Sequence, residues 1–433
     1  LYSSQWHLAR IGLPKVWNQS IGGLTADGDT IVVAIMDSGF EIYHEDMVDN
    51  LWINHGEIAA DSIDNDGNGY IDDLHGWDYF SDTPRIAPGL HGLGAAGIIG
   101  ARGNNALGLS GVNWQVKLMY FSFRRIDHLI AAFEYVIDQR ALYNESNGSR
   151  GSFVVAVNNS FGVENIFCDP PANAVYELWR DSYDAMGEVG ILAAVSPANL
   201  SHNVDRFGDM PATCRSEYMI AACNTNEDDN LSGTASFGPE SVDLAAPGDG
   251  SRSTAPNNSY GGYGQNSAAA PHVAGAIALL YSLPCAPLGY QARTAPSATA
   301  LGIRNALLQG VEPLASLEGK TVTGGLLQVA NSWEMMREIW CSNQPEELQI
   351  RKLYPNPTSG HPLRLEYLTP ENGTFYLEFY NALGQLVRHT SIEIARSGPH
   401  LSSVPVDQLP SGVYILRFGQ GDNWVIQRVV VAR

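Results

Sequence analysis

Three short segments carry residue types able to build a covalent acyl intermediate. Asp37-Ser38-Gly39 follows directly on the apolar run Thr30–Met36. His91-Gly92 precedes the small-residue stretch Leu93–Ala101. Ser267 opens Ala268-Ala269-Ala270-Pro271-His272-Val273-Ala274-Gly275, which stays apolar through Leu280. A serine hydroxyl is a weak nucleophile at neutral pH, an imidazole can take its proton, and a carboxylate can fix the imidazole tautomer. Singly, each residue reads as a strand-end turn, a structural histidine or a helix N-cap. Together, in the order Asp, His, Ser and each at a loop junction, they form a constellation for nucleophilic catalysis.

The elements that would position them alternate. Thr30–Met36, Phe153–Val157 and Gly190–Val195 read as fully buried strands, with helical stretches such as Asp127–Ala141 between them. This pattern predicts an α/β fold, a parallel sheet with helices on both faces, whose functional groups lie at the carboxyl ends of the strands. Trp333–Trp340 reads as helix. Beyond it the pattern changes to alternating strands, Leu363–Tyr367, Thr374–Tyr380, Val413–Phe418 and Trp424–Val431, separated by turns such as Glu371-Asn372-Gly373 and Pro410-Ser411-Gly412. That predicts a C-terminal immunoglobulin-like β-sandwich. The expected division is a catalytic domain over 1–340, a linker over 341–349 and the sandwich over 350–433.

Composition sets bounds on function. Of 433 residues, 44% are apolar and 16% charged, enough to bury a large core, and the net charge of −21 argues against nucleic acid or anionic lipid as a partner while suiting cation binding. No apolar run reaches membrane-spanning length, so no transmembrane segment is expected. The first residues lack the basic start and apolar core of a leader, so a processed or trimmed chain is expected. The five cysteines lack metal-ligand spacing and allow at most two disulfides, in fifteen arrangements.

Asp64-Asn65-Asp66-Gly67-Asn68-Gly69-Tyr70-Ile71-Asp72-Asp73 sets oxygen ligands at alternating positions with glycines for the bend. Hard cations favour that pattern, and Asp64, Asp66, Asn68 and Asp72 are the candidate calcium ligands. His75 stands where an EF-hand would need a bidentate Glu, so an EF-hand is excluded. The plain alternative is a solvated acidic turn.

Residues 1 to about 335 resemble the subtilisin family of serine proteases. The likeness rests on the three catalytic segments, in the chain order of that family, and on Gln5-Trp6, Asn158-Asn159-Ser160-Phe161-Gly162, Ala245-Ala246-Pro247-Gly248 and Gly319–Gly325. It implies that Ser267 is the nucleophile, His91 the general base and Asp37 its orienting partner. It also implies that Asn199 joins the Ser267 N–H as oxyanion donor. The pocket for the residue before the scissile bond would be walled by Ser160-Phe161-Gly162 and Ser196-Pro197-Ala198, with Asp209 at its base, which implies a preference for Arg or Lys. The alternative is that Asp209 faces solvent or a cation. A second calcium site is implied at Gln5, Asp46 and Asn105, completed by carbonyls near Gly103, Leu107 and Leu109.

Three neighbourhoods depart from the family. Leu93 and Gly94 replace the end of His-Gly-Thr-His, Gln265-Asn266-Ser267-Ala268 replaces Gly-Thr-Ser-Met, and Ala198 replaces a glycine. The expected function is peptide-bond cleavage, with polypeptides as substrates; the alternative is a catalytically impaired subtilase that binds or scaffolds. Finally, Leu353–Gly360, Tyr380–Val387 and Leu409–Tyr414 resemble the C-terminal sorting domain of type IX secretion, found in Bacteroidetes. This implies recognition by an outer-membrane translocon and a secreted or cell-surface location. The alternative is a generic sugar-binding or structural module.

Overall fold

The computed structural model describes residues 4–341, 347–394 and 397–433. The chain divides into two compact units. One runs to Pro284 and resumes over Gln291–Arg337; the other comprises Cys285–Tyr290 and Glu338–Arg433. Most of the expected linker, residues 342–346, lies outside the described residues.

In the first unit a nine-stranded sheet runs in the spatial order Glu312–Pro313, Gly325–Leu326, Leu244–Pro247, Met219–Thr225, Leu192–Val195, Val154–Asn159, Val32–Asp37, Lys117–Ser122 and Gly76–Asp78. All neighbours pair in parallel except the first two. Val32–Asp37 is buried at every position, as a strand covered on both faces must be. Val32, Ala34 and Met36 pack with Leu129, Phe133, Trp179 and Tyr183 from helices Ile126–Ser146 and Ala174–Val189. Helices Leu90–Gly100 and Asn266–Leu280 pack together against the other face. Reversals of strand order put open loops at the carboxyl edge, where such sheets hold their ligands.

Two disulfides form, Cys168–Cys214 and Cys285–Cys341, and Cys223 is a buried free thiol.

The second unit contains two antiparallel sheets. One orders Gln349–Tyr354, Leu363–Thr369 and Gly398–Val404; the other orders Leu386–Ile394, Gly373–Tyr380, Gly412–Gln420 and Asn423–Val431. Alternate residues, including Leu363, Leu365, Tyr367, Phe375, Leu377, Phe379, Leu416 and Phe418, share one core, the arrangement of a β-sandwich. The Tyr414 hydroxyl donates to the Pro410 carbonyl at 2.8 Å, locking the turn before its strand.

Candidate active site

Asp37 ends the strand Val32–Asp37 and is 4% exposed. Its Oδ1 accepts from the Ser38 N–H at 2.7 Å and its Oδ2 from His91 Nδ1 at 2.8 Å. His91 is the second residue of the helix Leu90–Gly100, which takes in most of the small-residue stretch that follows it. The next residue has to be glycine. A Cβ at position 92 would lie 2.5 Å from the Phe40 ring and 2.8 Å from Asp37 Cβ, so only glycine lets this helix approach the carboxylate. Burial works against a charged His91, but the hydrogen bond and charge of Asp37 outweigh it and raise its pKa above the usual value.

Ser267 is the second residue of the helix Asn266–Leu280 and is partly exposed. Gln265, just before the helix, is held at φ +62°, a conformation that side chains rarely adopt; such strain clusters at functional turns. Ser160 Oγ donates to the Ser267 carbonyl at 2.9 Å, and Ser267 Oγ lies 3.4 Å from the Ser160 carbonyl.

Asn266 was not singled out from sequence, yet it organises the corner. Its N–H donates to Asn199 Oδ1 at 3.0 Å, its Nδ2 to the Ala198 carbonyl at 2.7 Å, and its Oδ1 accepts from the Asn224 N–H at 2.8 Å. The available signal was a polar residue opening an otherwise apolar helix. With Oδ1 of Asn199 fixed as an acceptor, the amide Nδ2 is left as a donor beside the Ser267 helix start.

The expected pocket segments also converge. Val163–Glu164 pairs antiparallel with Asp209–Met210, tying the wall after Gly162 to the floor. Asp209 is 0% exposed, and its Oδ2 accepts from the Ala198 N–H at 2.7 Å. Its Oδ1 lacks a hydrogen bond of good geometry. Burial pushes the Asp209 pKa up to about 7, against the pull of the Ala198 and Ala212 N–H groups. A Cβ at Gly162 would lie 2.8 Å from the Met210 carbonyl and 3.2 Å from Asp209 Oδ1. The Phe161 ring packs against Phe123 and Trp179. The bridge Cys168–Cys214 and the Thr213 hydroxyl, which accepts from the Cys168 N–H at 3.1 Å, brace the same two segments.

In the acidic loop, the expected ligand Asp66 converges with Asp73 and with Glu57 from upstream, while Asp64 and Asp72 do not join them. Asp64 is taken up by the N–H groups of Gly67, Asn68 and Gly69, and Asp72 by those of Asp61 and Ser62. Glu57, Asp66 and Asp73 instead bring one oxygen each within 4.8 Å of one another. Asn68 joins them by donating to Asp66 at 3.3 Å and Asp73 at 2.9 Å, and Asn54 donates to both as well. Burial raises the Asp73 pKa. Among the described residues no Lys or Arg forms an ion pair with these three carboxylates. Convergent hard oxygens with no cationic partner fit a calcium ion.

Gln5, Asp46 and Asn105 share a second neighbourhood around the Leu109–Ser110 backbone. Gln5 exchanges two hydrogen bonds with the Ser110 backbone, Asn105 Nδ2 donates to Asp46 Oδ1 at 2.7 Å, and the Leu109 N–H donates to Asp46 Oδ2 at 2.8 Å. Burial raises the Asp46 pKa.

Residues 28–312 match the subtilase family, and residues 352–432 match a secretion system C-terminal sorting domain, which marks a chain for secretion or cell-surface export. Among the described residues no helix is long and apolar enough to cross a membrane. Subtilisin-like protease 1 of Plasmodium berghei is 26% identical over 329 residues, covering 70% of this chain and 49% of the relative; the chain thus spans about half of that protein. Thermitase of Thermoactinomyces vulgaris is 26% identical over 65% of this chain and 83% of the enzyme. A protease structure from Pseudoalteromonas arctica superposes with a TM-score of 0.55 at 19% identity, covering 77% of this chain and 98% of that one. The family match takes in well over half of the chain and the whole of the site described above: the chain belongs to the subtilase family of serine proteases and ends in a type IX sorting domain.

Proposed function

We propose that the chain is an exported serine endopeptidase in which Ser267, His91 and Asp37 form the catalytic triad. The observation that carries this reading is the 2.8 Å Asp37–His91 hydrogen bond on a sheet edge shared with the Ser267 helix start. His91 takes the Ser267 proton as Oγ attacks the scissile carbonyl, then returns it to the leaving amine. Asp37 holds the Nδ1–H tautomer and offsets the charge of the imidazolium. The Ser267 N–H and the Asn199 Nδ2 donate to the oxyanion.

The substrate residue before the scissile bond enters between Ser160–Gly162 and Ser196–Ala198. Asp209 at the base selects Arg or Lys: a buried carboxylate with one oxygen uncommitted offers a cation a charge-assisted hydrogen bond. Glu57, Asp66 and Asp73 hold a calcium ion, which would offset their mutual repulsion and fix the loop. The C-terminal unit is the part recognised by the type IX translocon.

The test is labelling with a fluorophosphonate probe together with casein hydrolysis. Wild type should label and hydrolyse, and Ser267→Ala should do neither. Equal residual activity in both would remove Ser267 from its role, and an unlabelled wild type that still binds peptides would favour the scaffold reading.

A further inference from the structure

The proton-accepting nitrogen of His91 has a tyrosine hydroxyl beside it. Tyr263 lies between the strand Ser259–Gly262 and the helix Asn266–Leu280, and its hydroxyl stands 3.4 Å from His91 Nε2. The two rings meet edge to face with centroids 5.5 Å apart. Burial and the charge of Asp37 keep the phenol protonated, with a pKa well above its usual value, so it is a donor at any working pH. His91 uses Nδ1 as donor to Asp37, which leaves Nε2 as the acceptor. Among the described residues no hydrogen bond joins Ser267 to His91; Ser267 Oγ is turned to the Ser160 carbonyl instead.

The room for this ring comes from His91's own helix. A Cβ on Gly94 would lie 2.4 Å from Tyr263 Cδ2 and 2.8 Å from Cε2. Gly94 is one of the positions at which this sequence departs from its family, so the missing side chain and the inserted ring are complementary.

We propose that Tyr263 caps the general base. In the substrate-free chain its hydroxyl donates to the Nε2 lone pair that the Ser267 proton needs, and the triad closes only when the ring swings away. This inference rests on the triad reading given above. No bond is made or broken in uncapping; one neutral hydrogen bond is exchanged for another.

The experiment is the second-order rate of fluorophosphonate labelling against pH for wild type, Tyr263→Phe, Gly94→Ala and Ser267→Ala, with melting curves to check folding. Tyr263→Phe keeps the ring and removes the donor. Gly94→Ala leaves Tyr263 intact and displaces its ring. Both should label faster, by about two- to tenfold, the worth of one neutral hydrogen bond. Asp37 and Tyr263 are the titratable groups facing His91. Loss of a donor to the neutral imidazole should therefore raise its pKa and move the acid limb of the Tyr263→Phe profile to higher pH, a shift that looser packing alone would not give. Labelling of Tyr263→Phe at or below the wild-type rate, while Ser267→Ala stays unlabelled, would overturn the cap. Labelling that persists in Ser267→Ala, or is absent from both wild type and Tyr263→Phe, would overturn the triad reading instead.

Discussion

His7 donates from Nδ1 to Nε2 of His272 across 2.7 Å, joining the N-terminal helix Trp6–Arg10 to the helix that carries Ser267. Both rings are fully buried. His272 Nδ1 donates to the Ala268 carbonyl at 2.7 Å, and His7 Nε2 accepts from the Arg252 N–H at 3.4 Å. Every ring nitrogen is committed, and the set is consistent only with two neutral imidazoles.

Burial accordingly lowers the His272 pKa to about 4 and that of His7 well below its usual value, where His272 adds to the effect. In the unfolded chain both protonate near 6.5, so the unfolded state binds more protons as the solution is acidified. The stabilisation is complete above about pH 6.5 and is lost as pH falls from there toward 4. For His272 it amounts to on the order of 3 kcal/mol. Thermal melts at intervals between pH 7 and 4.5 should show a steep decline, and His7→Asn should make it shallower. A pH-independent melting temperature over that range would refute the neutral pair.

Catalysis depends on a histidine whose pKa is shifted the other way. The His91 pKa is raised, so kcat/KM should climb with pH through a midpoint above 6.5 as the base loses its proton. Asp37→Asn should move that midpoint down and cut kcat by about 10⁴-fold, and Asn199→Ala should cut it by about 10²–10³-fold with KM little changed. A pH profile left in place by Asp37→Asn would break the assignment of Asp37.

Selectivity before the scissile bond tests Asp209. A peptide library varied at that position should rank Arg and Lys first, and Asp209→Ala should erase the ranking. With the Asp209 pKa raised to about 7, preference for the basic residues should weaken as pH falls below neutrality and the carboxylate takes up a proton. Aromatic or aliphatic residues leading in wild type would show that the carboxylate does not read the substrate.

Chelation should lower the melting temperature. An ion that binds only the folded chain at a hundredfold excess over its Kd adds about 2.7 kcal/mol. Asp66→Ala, at the exposed side of the Glu57–Asp66–Asp73 cluster, should blunt the response. Asn105→Ala should leave it intact, because the Asn105 amide is engaged with Asp46, away from this cluster. A melting temperature indifferent to chelator would contradict the calcium assignment.

How much was legible in the sequence depended on burial. Val32–Asp37 and its neighbours announced themselves because a strand covered on both faces must be apolar throughout. Leu386–Ile394 did not, because this edge strand is exposed at most of its positions and sets Arg388 and Thr390, not apolar residues, at half-buried ones. Asp37, His91 and Ser267 were readable as junction residues, whereas Tyr263 and Asn266 act through contacts that no local pattern encodes. In the acidic loop the bend misled. Asp72 sits at φ +58° and closes the turn on Asp61 and Ser62, so the next residue, Asp73, points inward to meet Glu57, which lies well upstream.

The bridge Cys168–Cys214 pins the wall and floor of the specificity pocket to each other. A thiol pair of this kind stays reduced in a cytoplasm and closes in an oxidising compartment. For a chain that carries a sorting domain for export, the brace between these two segments therefore closes outside the cytoplasm, not at the ribosome.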